Sequence, residues 1–119
     1  MNTVFASIIS IFVSLQLSVA QETEFVDIFI AMVYEGKVDD HTCKRVMSFA
    51  PDKMTINECL SKAEAVNPEC EILARQHVKS VVDENERRKM VEILMVCPVA
   101  KLLEYPYIFI DGDIKVEFP

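Results

Sequence analysis

"TINECLSKAEAVNPEC", residues 55–70, holds two helix-start signals in quick succession, and whether both are used decides the architecture. Thr55 followed by Glu58 is the capping-box pattern, in which the hydroxyl satisfies an otherwise orphaned N–H of the first turn. Asn67-Pro68 then offers a second cap with proline at the first helical position, where its missing N–H costs nothing. Glu69 and Glu71 suit the positive end of a helix dipole. The stretch therefore predicts one helix from Thr55 through Cys59, Leu60 and Ala63 to about Val66. A separate helix follows over about residues 68–82, with Cys70, Leu73, Ala74, His77, Val78 and Val81 spaced along one inward face.

Upstream, a shorter helix starts at Asp39 or Asp40, turns Cys43, Val46 and Met47 inward and stops before Pro51. Ahead of it, "FVDIFIAMVYE" (25–35) predicts a helix from about Glu24 to Glu35, with Thr23 as N-cap and Gly36 as a left-handed stop. That helix is apolar nearly all round. Phe25, Ile28, Phe29 and Met32 form one stripe, while Val26, Ile30, Val33 and Tyr34 cover much of the rest. Such a helix is expected to be buried on several sides as a core element. The sharper alternative makes Phe25, Ile28, Phe29 and Met32 a face for a hydrophobic ligand or a protein partner.

Downstream, Asp83 with Glu86 is another cap, and "RKMVEILMVC" (88–97) forms a fifth helix with Met90, Val91, Leu94 and Cys97 on one side. Pro98 removes a donor and is expected to kink this helix or to begin a short further turn, "PVAKLLEY". The fold class predicted is all-α, five or six short helices stapled by two disulfides, with a hairpin-like tail at "YPYIFIDGDIKVEFP" (105–119). In that tail Asp111-Gly112 lies between alternating apolar segments, a short-range hairpin signal. A two-residue turn sets Phe109 opposite Ile114 and Tyr107 opposite Val116; a three-residue turn sets Ile110 opposite Ile114 and Ile108 opposite Val116. The hairpin is expected either to pack as a lid over the first helix or to offer an edge to another chain.

Residues 1–20, "MNTVFASIISIFVSLQLSVA", are uncharged and end in small residues, which predicts a secretory signal peptide cleaved after Ala20. The helical disulfide domain then covers 21–104 and the tail 105–119, with no stable membrane span left in the mature chain. All four cysteines, Cys43, Cys59, Cys70 and Cys97, follow that segment. An even count in a small exported chain predicts two disulfides, each worth ~2 to 4 kcal/mol, in any of three connectivities. The localisation expected is extracellular.

The formal net charge of −7 argues against nucleic acid and anionic membranes as partners, since both require a basic footprint. The basic cluster Arg87, Arg88 and Lys89 sits among acidic and amide groups in "DENERRK" and is a solvated helix face. Two glycines leave little scope for a phosphate loop or a nucleophile elbow. Ser48, Ser61 and Ser80 stand in no catalytic motif, so no enzyme is expected. Asp111 and Asp113 around Gly112 read as a turn, because the further ligands of a calcium loop are missing. His41 and His77 are the candidate metal ligands, for copper or zinc, provided that they converge with carboxylates such as Asp39 or Asp40. His77 is placed on the inner face and His41 near a helix start. The oligomeric state is not readable from these residues.

"CKRVMSFAP", "ECLSKAEAVNPEC" and "ERRKMVEILMVCP", over residues 43–98, resemble the microplusin-like antimicrobial proteins of arachnids in cysteine spacing. The resemblance implies a small secreted helical domain with a binding or defence role and no catalysis. That family carries six cysteines where this chain has four, and its copper-sequestering members are rich in histidine, so only His41 and His77 could inherit such a role. The alternatives are a carrier of small hydrophobic ligands resembling insect odorant-binding proteins, whose cysteine pattern differs, and a venom or secretion component that recruits a partner.

Overall fold

The computed structural model of the chain describes residues 23–35 and 37–119. The segment read as a signal peptide and the stop read at Gly36 lie outside these residues. Among the described residues stand four helices and one hairpin: α1 over 23–34, α2 Val38–Phe49, α3 Ile56–His77, α4 Glu84–Leu103, β1 Tyr107–Ile110 and β2 Asp113–Val116.

Four helices replace the expected five or six because both prolines are carried inside helices. Thr55 caps α3 as expected, its hydroxyl accepting from the Glu58 N–H at 3.2 Å. The helix then runs on through Asn67-Pro68 to His77. A proline in a helix interior removes one donor and crowds the carbonyl four residues back, but it does not forbid helix when tertiary contacts hold both sides. Here those contacts start from the expected cap itself. Asn67 is buried, accepts from the Thr42 hydroxyl and donates to Asp39, so its side chain serves α2 instead of a helix start. The same holds at Pro98, which is fully buried inside a single α4 that opens at Asp83 and closes at Glu104. Asp83 accepts from the Glu86 N–H at 2.8 Å, as its pattern predicts.

The disulfides join Cys43 to Cys59 and Cys70 to Cys97, with Cα atoms 5.8 Å apart in each. Each bridge lies in its own apolar cluster. Cys43–Cys59 packs with Val46, Ala63, Val99 and Leu103; Cys70–Cys97 packs with Ile30, Val78, Met90 and Leu94. Helix α4 supplies both clusters, Met90 to Cys97 going to one and Val99 to Leu103 to the other, which explains why its apolar residues do not keep to one side. Burying side chains such as Met90, Ile93, Leu94 and Leu103 completely stabilises the fold by roughly 1.5 to 3 kcal/mol each before entropy is counted.

Helix α3 ends at His77 and the chain leaves it extended, with Val78 and Val81 still turned into the core. The buried positions of α3 run 59, 63, 67, 70 and 74, so the next inward slot falls to Val78. His77 is accordingly exposed instead of inward, and its ring lies flat on Phe109, centroids 3.8 Å apart. Arg87 ties the extended segment down by donating to the carbonyls of Val81 and Val82.

The hairpin adopts the two-residue turn: Phe109 pairs with Ile114 and Tyr107 with Val116. Asp111 and Gly112 both have positive φ, 52° and 84°, the backbone twist that matches a tight hairpin. Ile114 is buried, and Tyr107, Phe109 and Val116 pack on the cluster that also holds Val26 and Ile30. Strand β2 lies along α4. Lys89 donates to the Asp111 carbonyl at 2.8 Å and Arg88 pairs with Asp113 at 2.9 Å, so the two turn aspartates are engaged by α4.

Candidate binding surface

Helix α1 presents two unlike faces. Val26 and Ile30 are buried, with Phe29, Val33 and Tyr34 packed beside them. At 3.6 residues per turn, this inward set leaves Phe25, Ile28 and Met32 pointing away. They are 55%, 50% and 67% exposed. The expectation of burial on several sides is thus corrected: α1 packs through one flank. The hairpin follows α4 and packs into the cluster that holds Val26 and Ile30 of the inner flank of α1.

Two contacts tie α1 to its neighbours in this orientation. Asp27 pairs with Arg75 of α3 at 2.7 Å, and Arg75 also reaches Glu71 at 3.2 Å. At the far end the Tyr34 hydroxyl donates to the Leu94 carbonyl of α4 at 3.2 Å. Burial, together with the nearby Glu71 carboxylate, pushes the Tyr34 phenol well above its ordinary range, against the opposing pull of Arg45. The group therefore remains a neutral donor at all ordinary pH.

Phe25, Ile28, Phe29 and Met32 line a depression of about 310 Å³ that opens to solvent, closed on one side by Val81 and Val82. The stripe singled out in the sequence is therefore brought together on one surface. Val82, 69% exposed, completes it. Reading residues 68–82 as helix obscured that role; the available signal was Asp83, since a cap leaves the residues before it outside the helix. The depression has no charged side chain in its lining. It can take up apolar side chains or an acyl chain by excluding water, with methionine adapting to their shape.

The two histidines sit in different surroundings. His41, exposed on α2, borders a second depression with Val33, Tyr34, Glu35, Arg45 and Met95, whereas His77 rests on Phe109 of the hairpin. Among the described residues no three histidine, cysteine or acidic side chains gather as a metal-holding group. Nor is any helix there long and apolar enough to cross a membrane.

Comparison with protein-family models, curated proteins and solved structures finds no match to the chain.

Proposed function

We propose that this chain is an exported, non-catalytic binding protein that engages an apolar partner through the outer face of α1. The observation that carries the reading is the placement of Phe25, Ile28 and Met32 together in solvent around a depression free of charge. A contiguous apolar surface of this kind on a small acidic protein is costly unless it is covered in use. The two disulfides support export, since such bridges persist in oxidising compartments. An open depression suits the apolar face of a partner protein better than the enclosed pocket a lipid carrier needs. A defence role, as the microplusin-like resemblance implies, would be exercised through this surface more readily than by metal capture at His41 and His77.

Photo-crosslinking tests it. Benzoylphenylalanine at position 25 should give a specific adduct in the native secretion, while the same group at exposed Ile72 on α3 should not. Equal labelling from both positions, or none from position 25, would sink the proposal.

A further inference from the structure

The two strands of the hairpin meet the helices unequally: α4 packs mainly against β2, and among the described residues no backbone bond reaches the outer groups of β1. Strand β2 runs along α4, and the Arg88–Asp113 pair and the Lys89 bond to Asp111 hold it there. Strand β1 lies on the other side. In an antiparallel ladder, pairs that exchange hydrogen bonds alternate with pairs that do not. Glu117 donates to the Pro106 carbonyl, and Ile108 and Ile110 face Lys115 and Asp113, which sets the alternation: Ile108 and Ile110 bond to β2. Tyr107 and Phe109 therefore turn their N–H and C=O groups outward from the hairpin. Proteins guard such an edge with lysine, an interior proline, a bulge or a cover. β1 reads "YIFI", carries no charge, and leaves Ile108 and Ile110 60% and 50% exposed on its outer face.

We propose that β1 pairs with β1 of a second copy of this chain, antiparallel, about a twofold axis beside Ile108. Parity chooses the register. Outward groups must meet outward groups, and centring on Ile108 sets Tyr107 against Phe109 of the partner subunit and Phe109 against Tyr107 of the partner subunit. Both are bonded pairs, so four hydrogen bonds form. Centring on Tyr107 instead would bring Tyr105 into the ladder, and its N–H is already committed to the Ala100 carbonyl. With the axis at Ile108, that side chain meets Ile108 of the partner subunit in the close, non-bonded kind of pair, and Ile110 lies beside Pro106 of the partner subunit.

Closure favours a second copy over an unrelated strand. A foreign strand would add a new open edge beside β1, whereas twofold pairing uses up the β1 edge of both copies in a four-stranded sheet ordered β2, β1, β1, β2, with α4 of each copy packed beside its own β2. Assembly stops at two, as in an isologous interface. The lysines at 115 flank the central isoleucines and bring no acidic side chain into that row.

Sedimentation velocity of the purified chain over a concentration series tests the pairing. The expected result is a reversible monomer–dimer equilibrium, with exchange of the Tyr107 and Phe109 amides slowing as the dimer fills. Ile108→Lys places two ammonium groups across the axis and should weaken dimerisation at least about tenfold. Ile28→Lys, on the α1 face, should leave it unchanged, which separates this interface from the proposed partner surface. A chain that stays monomeric at all concentrations, or a dimer broken by Ile28→Lys and indifferent to Ile108→Lys, or indifferent to both, would overturn the proposal.

Discussion

Thr42 on α2 donates its hydroxyl hydrogen to the Asn67 side-chain oxygen on α3 at 3.1 Å, and both residues are buried. Asn67 in turn donates to Asp39 at 2.7 Å, so one amide joins two helices from within. Asn67→Ala should destabilise the fold by about 2 kcal/mol, because a buried hydroxyl loses its acceptor. Thr42→Val in the same background should recover part of that loss by removing the orphaned group. Denaturant unfolding of the two variants checks both statements; equal stability of Asn67→Ala and the parent would show the bond to be idle.

Pro68 lies inside α3 at an exposed position. Pro68→Ala restores the donor for the Glu64 carbonyl and should raise stability by roughly 1 to 3 kcal/mol. The opposite sign would mean that α3 depends on proline at this position. Pro98→Ala should gain less, since the ring at 98 is fully buried and its removal leaves a void in the core.

A Cβ at Gly112 would stand 3.3 Å from the His77 carbonyl and from the Lys89 side chain, on a backbone with φ of +84°. Gly112→Ala should therefore cost about 1 kcal/mol or more. Its effect belongs to the hairpin. Amide exchange should accelerate across β1 and β2 while α2 keeps its protection, and a uniform change throughout the chain would refute a local role.

The Arg88 guanidinium, paired with Asp113 at 2.9 Å, holds its carboxyl below the ordinary value, with the positive charges of Lys115 and Lys89 acting in the same direction against desolvation. A depressed folded value means that the stabilisation is fully present above the unfolded value of about 4 and fades as pH falls through the lower folded value. Hairpin docking should accordingly loosen in acid below about pH 4, and Asp113→Asn should abolish that part of the pH dependence. NMR shifts of Ile114 followed through an acid titration would show it, and an unchanged profile in Asp113→Asn would rule it out.

Serine pairs at each bridge separate their contributions. Loss of either should cost about 3 to 4 kcal/mol, slightly more for Cys70–Cys97, whose closed loop is the longer. Peptide mapping of the oxidised chain should recover 43 linked to 59 and 70 linked to 97. Any crossed pairing contradicts the fold.

Signals whose partner lies within a few residues are legible in the sequence itself. The caps at Thr55 and Asp83 hold their first-turn amides three residues on, and Asp111-Gly112 makes a two-residue turn because both residues tolerate positive φ. The even cysteine count in a small chain likewise points to two bridges. Asn67-Pro68 misleads for the converse reason: the groups that claim Asn67 lie 25 and 28 positions away, at Thr42 and Asp39, so a strong local start signal becomes the middle of a longer helix.

The apolar stripe of α1 is visible as a stripe, but which side of a helix meets water depends on what packs against the other side. Val26 and Ile30 found the Cys70–Cys97 cluster, the hairpin followed α4, and Phe25, Ile28 and Met32 were left outside. Cysteine pairing, the exposure of His77 and the open edge of β1 were decided in the same way. Short-range hydrogen bonding and backbone conformation are written residue by residue, and the sequence alone determined them. Burial is a contest among surfaces distant in the chain, and only the assembled fold could choose which of its apolar faces to hide.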